Sequence, residues 1–231
     1  MSSVRPRVAF QGEPGAFSEE AAIKLLGNEI LLVPRATFAD LFKSIEAEVA
    51  DYAIVPIENS LAGTIQPCRD LLHRSSLVIT GEVIIPIAQQ LVGISGATFA
   101  EIRSVESHPV ALAQCEKFFQ SQPHLERIEA DDTAGSVARV IRGGDRRRAA
   151  IAGKRAAALY GGQILMENIQ DDNENYTRFL LLSSTEFIRK AARMALDSLQ
   201  AENREGGSSR LFSVAANIQS SDKKKEKDHD C

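Results

Sequence analysis

The sequence predicts an α/β protein of two lobes, with mixed, mostly parallel sheets around a central cleft. Three observations lead there. Short strand patterns alternate with helix patterns along most of the chain. A long β-branched stretch, LVITGEVIIPIAQQLVGI, interrupts that alternation, with Pro86 marking a bend. A last strand pattern, YTRFLLLSS, follows a second round of alternation and leads back toward the first half. Two crossings of the chain imply a hinge, and binding clefts favour such interfaces and the carboxyl ends of strands.

Each element has its own signal. RVAF reads as a short buried strand. FSEEAAIKLLG reads as a helix, with Ser18 as cap, Glu19 and Glu20 in the first turn and Gly27 as stop. EILLVP is a strand. TFADLFKSIEAEVA is an amphipathic helix capped by Thr37, with Phe38, Leu41, Phe42 and Ile45 on one face. DYAIVPIEN is a strand with a polar end, and TIQPCRDLLHRSS a helix with Pro67 in its first turn. Beyond the long central stretch come the strand SVES and one helix, HPVALAQCEKFFQS. ERIEA, RAAIA and ILMENI are strands, separated by the helices DTAGSVARVIRGG, capped near Asp132, and GKRAAALYGG. The first lobe is expected over residues 1–83 plus about 180–200, and the second over 84–179. TEFIRKAARMALDSLQAEN is helix-prone, and the charged composition after it predicts a disordered tail over 201–231.

Composition excludes several function classes. The 231 residues are 44% hydrophobic and 25% charged, ordinary for a globular chain. A net charge of −4 gives no basic surface for nucleic acid, so any anion site must be built locally. The N-terminus has no apolar signal segment, and no stretch is apolar enough for a bilayer. No membrane partner is expected, and the cytoplasm is the expected location. No transit peptide is seen, and a plastid stays open. Cys68, Cys115 and Cys231 are too far apart for a disulfide framework or a zinc pattern, so no metal is expected.

Four polar clusters fall where strands give way to helices. GEPGAFSEE places glycines and Ser18 at a helix start, where free N–H groups favour an anion. In PIENSLAGTI, Glu58, Asn59 and Ser60 follow a strand, and Gly63 and Thr64 open a helix. In VESHPVALAQC, Ser107 is the expected cap, with His108 in the first turn and Gln114 farther on. NENYTRF puts Asn175, Thr177, Arg178 and Phe179 at the mouth of an apolar strand. Each cluster also reads as a plain turn and cap. Arg178 either holds an anion with its planar fork or forms a surface ion pair. Hydroxyls, amides, one Arg and helix ends suit a polyanionic small molecule and proton donation, rather than nucleophilic attack.

Taken in order, GEPGAFSEEAA, PIENSLAGTI, ESHPVALAQC and NENYTRF resemble the prephenate dehydratase family, over about Arg7 to Ser184. The resemblance implies a carbon–oxygen lyase that turns prephenate into phenylpyruvate, water and carbon dioxide in phenylalanine biosynthesis, without cofactor or metal. Arogenate dehydratase shares these motifs. A binding module for a small anion is the rival from another class. The implied fold is similar to type 2 periplasmic binding proteins. Thr177 would assist departure of the ring hydroxyl. Arg178 would hold a carboxylate or brace the site, and Phe179 would shape the pocket. Asn59, Ser60, Gly63, Thr64, Ser107 and Asn175 would line it, with Ser18, Glu58, His108 and Gln114 as a second set. Family members are commonly oligomers, so a homodimer is the implied assembly. Many also carry a phenylalanine-binding regulatory domain with Gly-Ala-Leu and Glu-Ser-Arg-Pro signatures. Neither occurs in this sequence, and SSRLFSVAANI would be its vestige.

Overall fold

A computed structural model of the chain describes residues 5–205. The first sheet contains β1 (Arg7–Gln11), β2 (Leu31–Arg35), β3 (Tyr52–Asn59), β4 (Gly63–Thr64), β5 (Val78–Pro86) and, from the end of the α/β region, β11 (Tyr176–Ser183). Its order is β2-β1-β3-β11-β5, with β4 paired to β3. Helices α1 (Phe17–Leu26), α2 (Phe38–Glu46) and α3 (Gln66–Arg74) connect it. The second sheet contains β6 (Gln90–Gly93), β7 (Ser104–Ser107), β8 (Glu126–Glu129), β9 (Arg148–Ala152) and β10 (Gln163–Met166), in the order β10-β6-β9-β7-β8. Its helices are α4 (Pro109–Ala113), α5 (Glu116–Ser121), α6 (Thr133–Gly143) and α7 (Lys154–Tyr160). α8 (Thr185–Glu205) follows β11. No described helix is long and apolar enough to cross a membrane.

The central strands of both sheets are buried on both faces, which is why they read as continuous apolar runs, while the edge strands β2, β5, β8 and β10 are more exposed. Side chains alternate across a strand. In β11, Phe179 and Leu181 therefore join the core under α1 with Val8 and Phe10. Leu180 and Leu182 join the opposite core, with Leu41, Phe42 and Cys68. The second sheet repeats the plan. Leu91 and Ile151 pack with Phe118 and Phe119 on one face, and Val92 and Ala150 with Val137 and Ala156 on the other. Fully burying each such leucine contributes about 1.5–3 kcal/mol.

The sheets are mixed rather than mostly parallel. Helical crossovers make β1 parallel to β2 and β3, and β7 parallel to β8 and β9. The returning strand β11 runs antiparallel to both β3 and β5, and β6 antiparallel to β9 and β10. The sheets also change over later than the expected 83/84 boundary. Ile84, Ile85 and Pro86 still pair with β11, as do residues 176–179, which were expected in the second lobe. Register explains this: Thr177 faces Ile85 and Tyr176 faces Pro86, so pairing continues until proline ends it. The chain crosses at 87–89 and 167–175, and the crossings are tied by Ile87 N–H to Asn175 O at 2.8 Å.

Three local expectations change. HPVALAQCEKFFQS forms two helices, α4 and α5, because the Asp171 carboxylate accepts the N–H groups of Glu116 (3.0 Å) and Lys117 (2.8 Å) and starts a new helix. Gly63 and Thr64 form strand β4 against Asn59 and Glu58 instead of opening a helix. α8 reaches Glu205, so residues 201–205 of the expected tail are helical; the rest, with SSRLFSVAANI, lies outside the described residues.

A second attachment joins the two sheets. The α1 turn packs on α7, where a Cβ on Gly15 would stand 2.8 Å from Ala156 Cα, and Gly15 has φ +92°. Glu19, 2% exposed, accepts from Gly15 N–H at 2.6 Å and from Arg155 Nε at 2.8 Å. Tyr160 donates to Pro14 O at 2.9 Å.

Candidate active site

A cavity of about 360 Å³ lies between the sheets. Its floor is the strand pair β3–β11, which presents Pro56, Asn59, Thr177 and Phe179. One wall is the first turn of α1, with Ala16, Phe17 and Ser18, together with Gln11 and Gly12 of the preceding turn. The second sheet contributes His108, Val110 and Ala111, then Gln114, and the start of α6 at Asp132 and Thr133. The crossing segment supplies Ile87 and Gln89. Phe38, Ala62 and Ile65 complete an apolar surface suited to a ring. The charged side chains in this lining are Asp131 and Asp132; no Lys or Arg lines it among the described residues.

The floor carries a hydrogen-bond network. Asn59 Nδ2 lies 3.0 Å from Thr177 Oγ1, 2.8 Å from Asn175 Oδ1 and 3.1 Å from Tyr176 O. Asn59 Oδ1 accepts from the N–H groups of Leu61 (3.1 Å) and Ala62 (2.8 Å), closing the turn into β4. Thr177 and Asn59 are each 7% exposed, and Asn175 is 1% exposed. Asn175 Nδ2 and Gln89 Oε1 are buried without partners.

Of the expected residues, Thr177, Asn59, Phe179, Ser18, His108 and Gln114 line the cavity. Ser18 sits inside α1 rather than capping it, because Ala16 takes the cap position. His108, not Ser107, caps α4: its Nδ1 accepts from Val110 N–H at 3.2 Å. With Nδ1 so committed, a neutral ring carries its proton on Nε2. Gln114 Oε1 accepts from Gln89 Nε2 at 3.3 Å.

Seven expected residues stand outside the lining. Arg178 alternates with Thr177 and Phe179, so it faces the other side of β11 and pairs with Glu82 at 2.5 Å. That carboxylate holds its guanidinium pKa above the usual value. Glu58 is exposed on the side of β3 opposite Asn59. Ser107 is buried in its sheet and donates to Ile151 O at 2.6 Å. Ser60 donates to Glu174 O and accepts from Tyr176 N–H, both at 2.9 Å, tying turn to strand. Gly63 and Thr64 belong to β4, and Asn175 stands behind Asn59. Gln89, Asp131, Asp132 and Thr133 are polar lining residues that sequence reasoning did not place in the site, and Gln89 is the most buried of them. Its signal was present, as a Gln pair interrupting the apolar run after Pro86.

A family model described as prephenate dehydratase matches residues 8–187. An Arabidopsis thaliana protein named arogenate dehydratase/prephenate dehydratase 1, chloroplastic, is 42% identical over 200 residues, 87% of this chain and 50% of the relative. Among solved structures, one titled a quorum quenching acylase has a TM-score of 0.70 and 35% identity, covering 77% of this chain and 64% of that one. A prephenate dehydratase from Arthrobacter aurescens in complex with L-Phe has a TM-score of 0.71 and 29% identity, covering 77% and 60%. The chain spans about half the length of the curated relatives it matches. Both sheets, the helices α1 to α7 and the cavity floor fall within the matched region, give or take the first residue of β1, and the chain belongs to the prephenate dehydratase family.

Proposed function

We propose that the chain catalyses the decarboxylating dehydration of prephenate to phenylpyruvate, with Thr177 as hydrogen-bond donor to the departing hydroxyl. The observation that carries this is the buried Thr177 hydroxyl on the floor of the cavity, beside Phe179 and the apolar wall. In the reaction the ring carboxylate leaves as carbon dioxide. The electron pair of that C–C bond completes the aromatic ring, and the C–O bond breaks with its own pair going to oxygen. One proton, ultimately from solvent, makes water of the leaving hydroxide. A donor at Thr177 stabilises charge where it develops.

The rest of the lining supports the same chemistry. No cation lines the cavity among the described residues, so a ring carboxylate there has no fixed countercharge against its loss as carbon dioxide. The side-chain carboxylate has the first turn of α1 to meet, where no side chain caps the leading N–H groups. Arogenate is the second reading. Asp131 and Asp132 in the lining favour a substrate whose side chain carries an ammonium group.

Offering each substrate separately tests both readings. Phenylpyruvate formed from prephenate supports the first. Phenylalanine formed from arogenate alone moves the assignment to the second. Turnover of neither rejects the dehydratase reading. A cytoplasmic location and a homodimer belong to the same proposal, and light scattering on the purified chain tests the dimer.

A further inference from the structure

Asn59 and Thr177 are directly paired residues of β3 and β11. The Asn59 amide has one orientation. Its Oδ1 accepts from two backbone N–H groups, those of Leu61 at 3.1 Å and Ala62 at 2.8 Å. A peptide N–H only donates, so the oxygen must face the turn and the nitrogen must face β11. The nitrogen lies 3.0 Å from Thr177 Oγ1. An amide NH2 accepts nothing, so Thr177 receives a hydrogen bond there and cannot give one. Among the described residues the Thr177 hydroxyl has no other hydrogen-bond partner, and Thr177 lines the cavity.

We infer that Asn59 is a positioning residue that sets the polarity of Thr177. By donating into Oγ1 it leaves the hydroxyl proton free to point into the cavity, toward the leaving oxygen of the substrate. The inference rests on the dehydratase reading above. It changes the part expected of Asn59, from a donor to the substrate to a donor to the residue that meets the substrate. Donation into Oγ1 also polarises the O–H bond, so each hydrogen bond strengthens the next. The network behind it holds the amide in place: its two hydrogens are shared among Thr177 Oγ1 at 3.0 Å, Asn175 Oδ1 at 2.8 Å and Tyr176 O at 3.1 Å, while the Asn175 Nδ2 is buried and unpaired.

The test is Asn59→Asp, which keeps the shape and reverses the polarity. One carboxylate oxygen keeps the Leu61 and Ala62 N–H groups, and the other accepts the Thr177 proton. The unpaired Asn175 Nδ2 can turn to meet it. At pH 8, kcat should fall at least about 100-fold while KM stays within about threefold, the scale of a lost acid catalyst. As the pH drops, the introduced carboxyl takes up a proton and again donates to Oγ1. Burial raises its pKa, so in mildly acid solution the activity of the variant recovers relative to that of the native enzyme at the same pH. Asn59→Ala should lose activity with no acid recovery.

A third variant separates polarity from mere packing. In a Thr177→Val background, Asn59→Asp should cost less than about threefold, because the hydroxyl it would misdirect is gone. Thermal melts show that each variant is folded. The inference is overturned if Asn59→Asp keeps kcat within threefold, if its loss lies in KM, or if the two substitutions multiply independently. If the native chain turns over neither prephenate nor arogenate, the dehydratase reading itself falls, a result distinct from all of these.

Discussion

Thr177 and Arg178 are consecutive residues that face opposite sides of β11. The hydroxyl of Thr177 stands in the cavity floor, while the guanidinium of Arg178 is tied to Glu82 at 2.5 Å on the solvent side. The separation follows from strand geometry alone, since adjacent side chains leave a strand in opposite directions. Two residues that share a motif therefore carry different duties. That difference sets the first expectation.

Arg178→Gln should change kcat/KM less than about tenfold, whereas Thr177→Val should lower kcat by about 10²–10⁴-fold. Thr177→Ser keeps the hydroxyl and should retain most of the activity. Steady-state kinetics on the three variants checks the order. A larger loss for Arg178→Gln than for Thr177→Val would remove Thr177 from the centre of the site.

Gly15→Ala tests the contact between α1 and α7. The new Cβ would press on Ala156 Cα at 2.8 Å, and the backbone at φ +92° disfavours any side chain. A loss of about 1–3 kcal/mol in urea unfolding is expected. Unchanged stability would mean that the α7 backbone moves aside freely.

Arg155→Leu leaves the Glu19 carboxylate, 2% exposed, with the Gly15 N–H as its remaining partner in that network. The expected cost is about 1–3 kcal/mol, because a buried charged acceptor loses its partner. The double variant Glu19→Gln, Arg155→Leu should regain part of it, since no buried charge remains. Chemical denaturation of the single and double variants measures both.

Cys68 and Cys115 should resist alkylation in the folded chain. Burial pushes both thiols up to about 12, so almost no thiolate exists at pH 8. Iodoacetamide at pH 8 followed by peptide mass spectrometry should find both unmodified until the chain is unfolded in urea. Rapid labelling of either in native protein would show that its core opens.

Much of the fold was legible because its signals are local. The apolar run Leu180–Leu182 announces a strand buried on both faces, and Thr37 caps α2 through Asp40 N–H at 3.1 Å, as its position suggests. Features set by distant partners were not legible. The break between α4 and α5 is made by Asp171, far along the chain, and the β3–β4 pairing of Gly63 depends on the turn closed by Asn59. The same division holds at the site. Thr177 stood out by motif, but the outward face of Arg178 follows from the phase of β11 against β3 and β5, which tertiary pairing sets. Gln89 was hidden for another reason: of the adjacent amides Gln89 and Gln90, which one meets the cavity shows only when Gln114 is in place.

The two crossing segments touch through Ile87 N–H and Asn175 O. A door turns least near its hinge, and Thr177 follows Asn175 by two positions on the strand that leaves this joint. The contact of α1 with α7 limits rotation of one sheet against the other, and whatever rotation it allows displaces Thr133 and His108 more than Thr177, Asn59 and Gln89, which stand nearer the joint. Thr177 and the amides around it occupy the part of the cavity that such motion disturbs least.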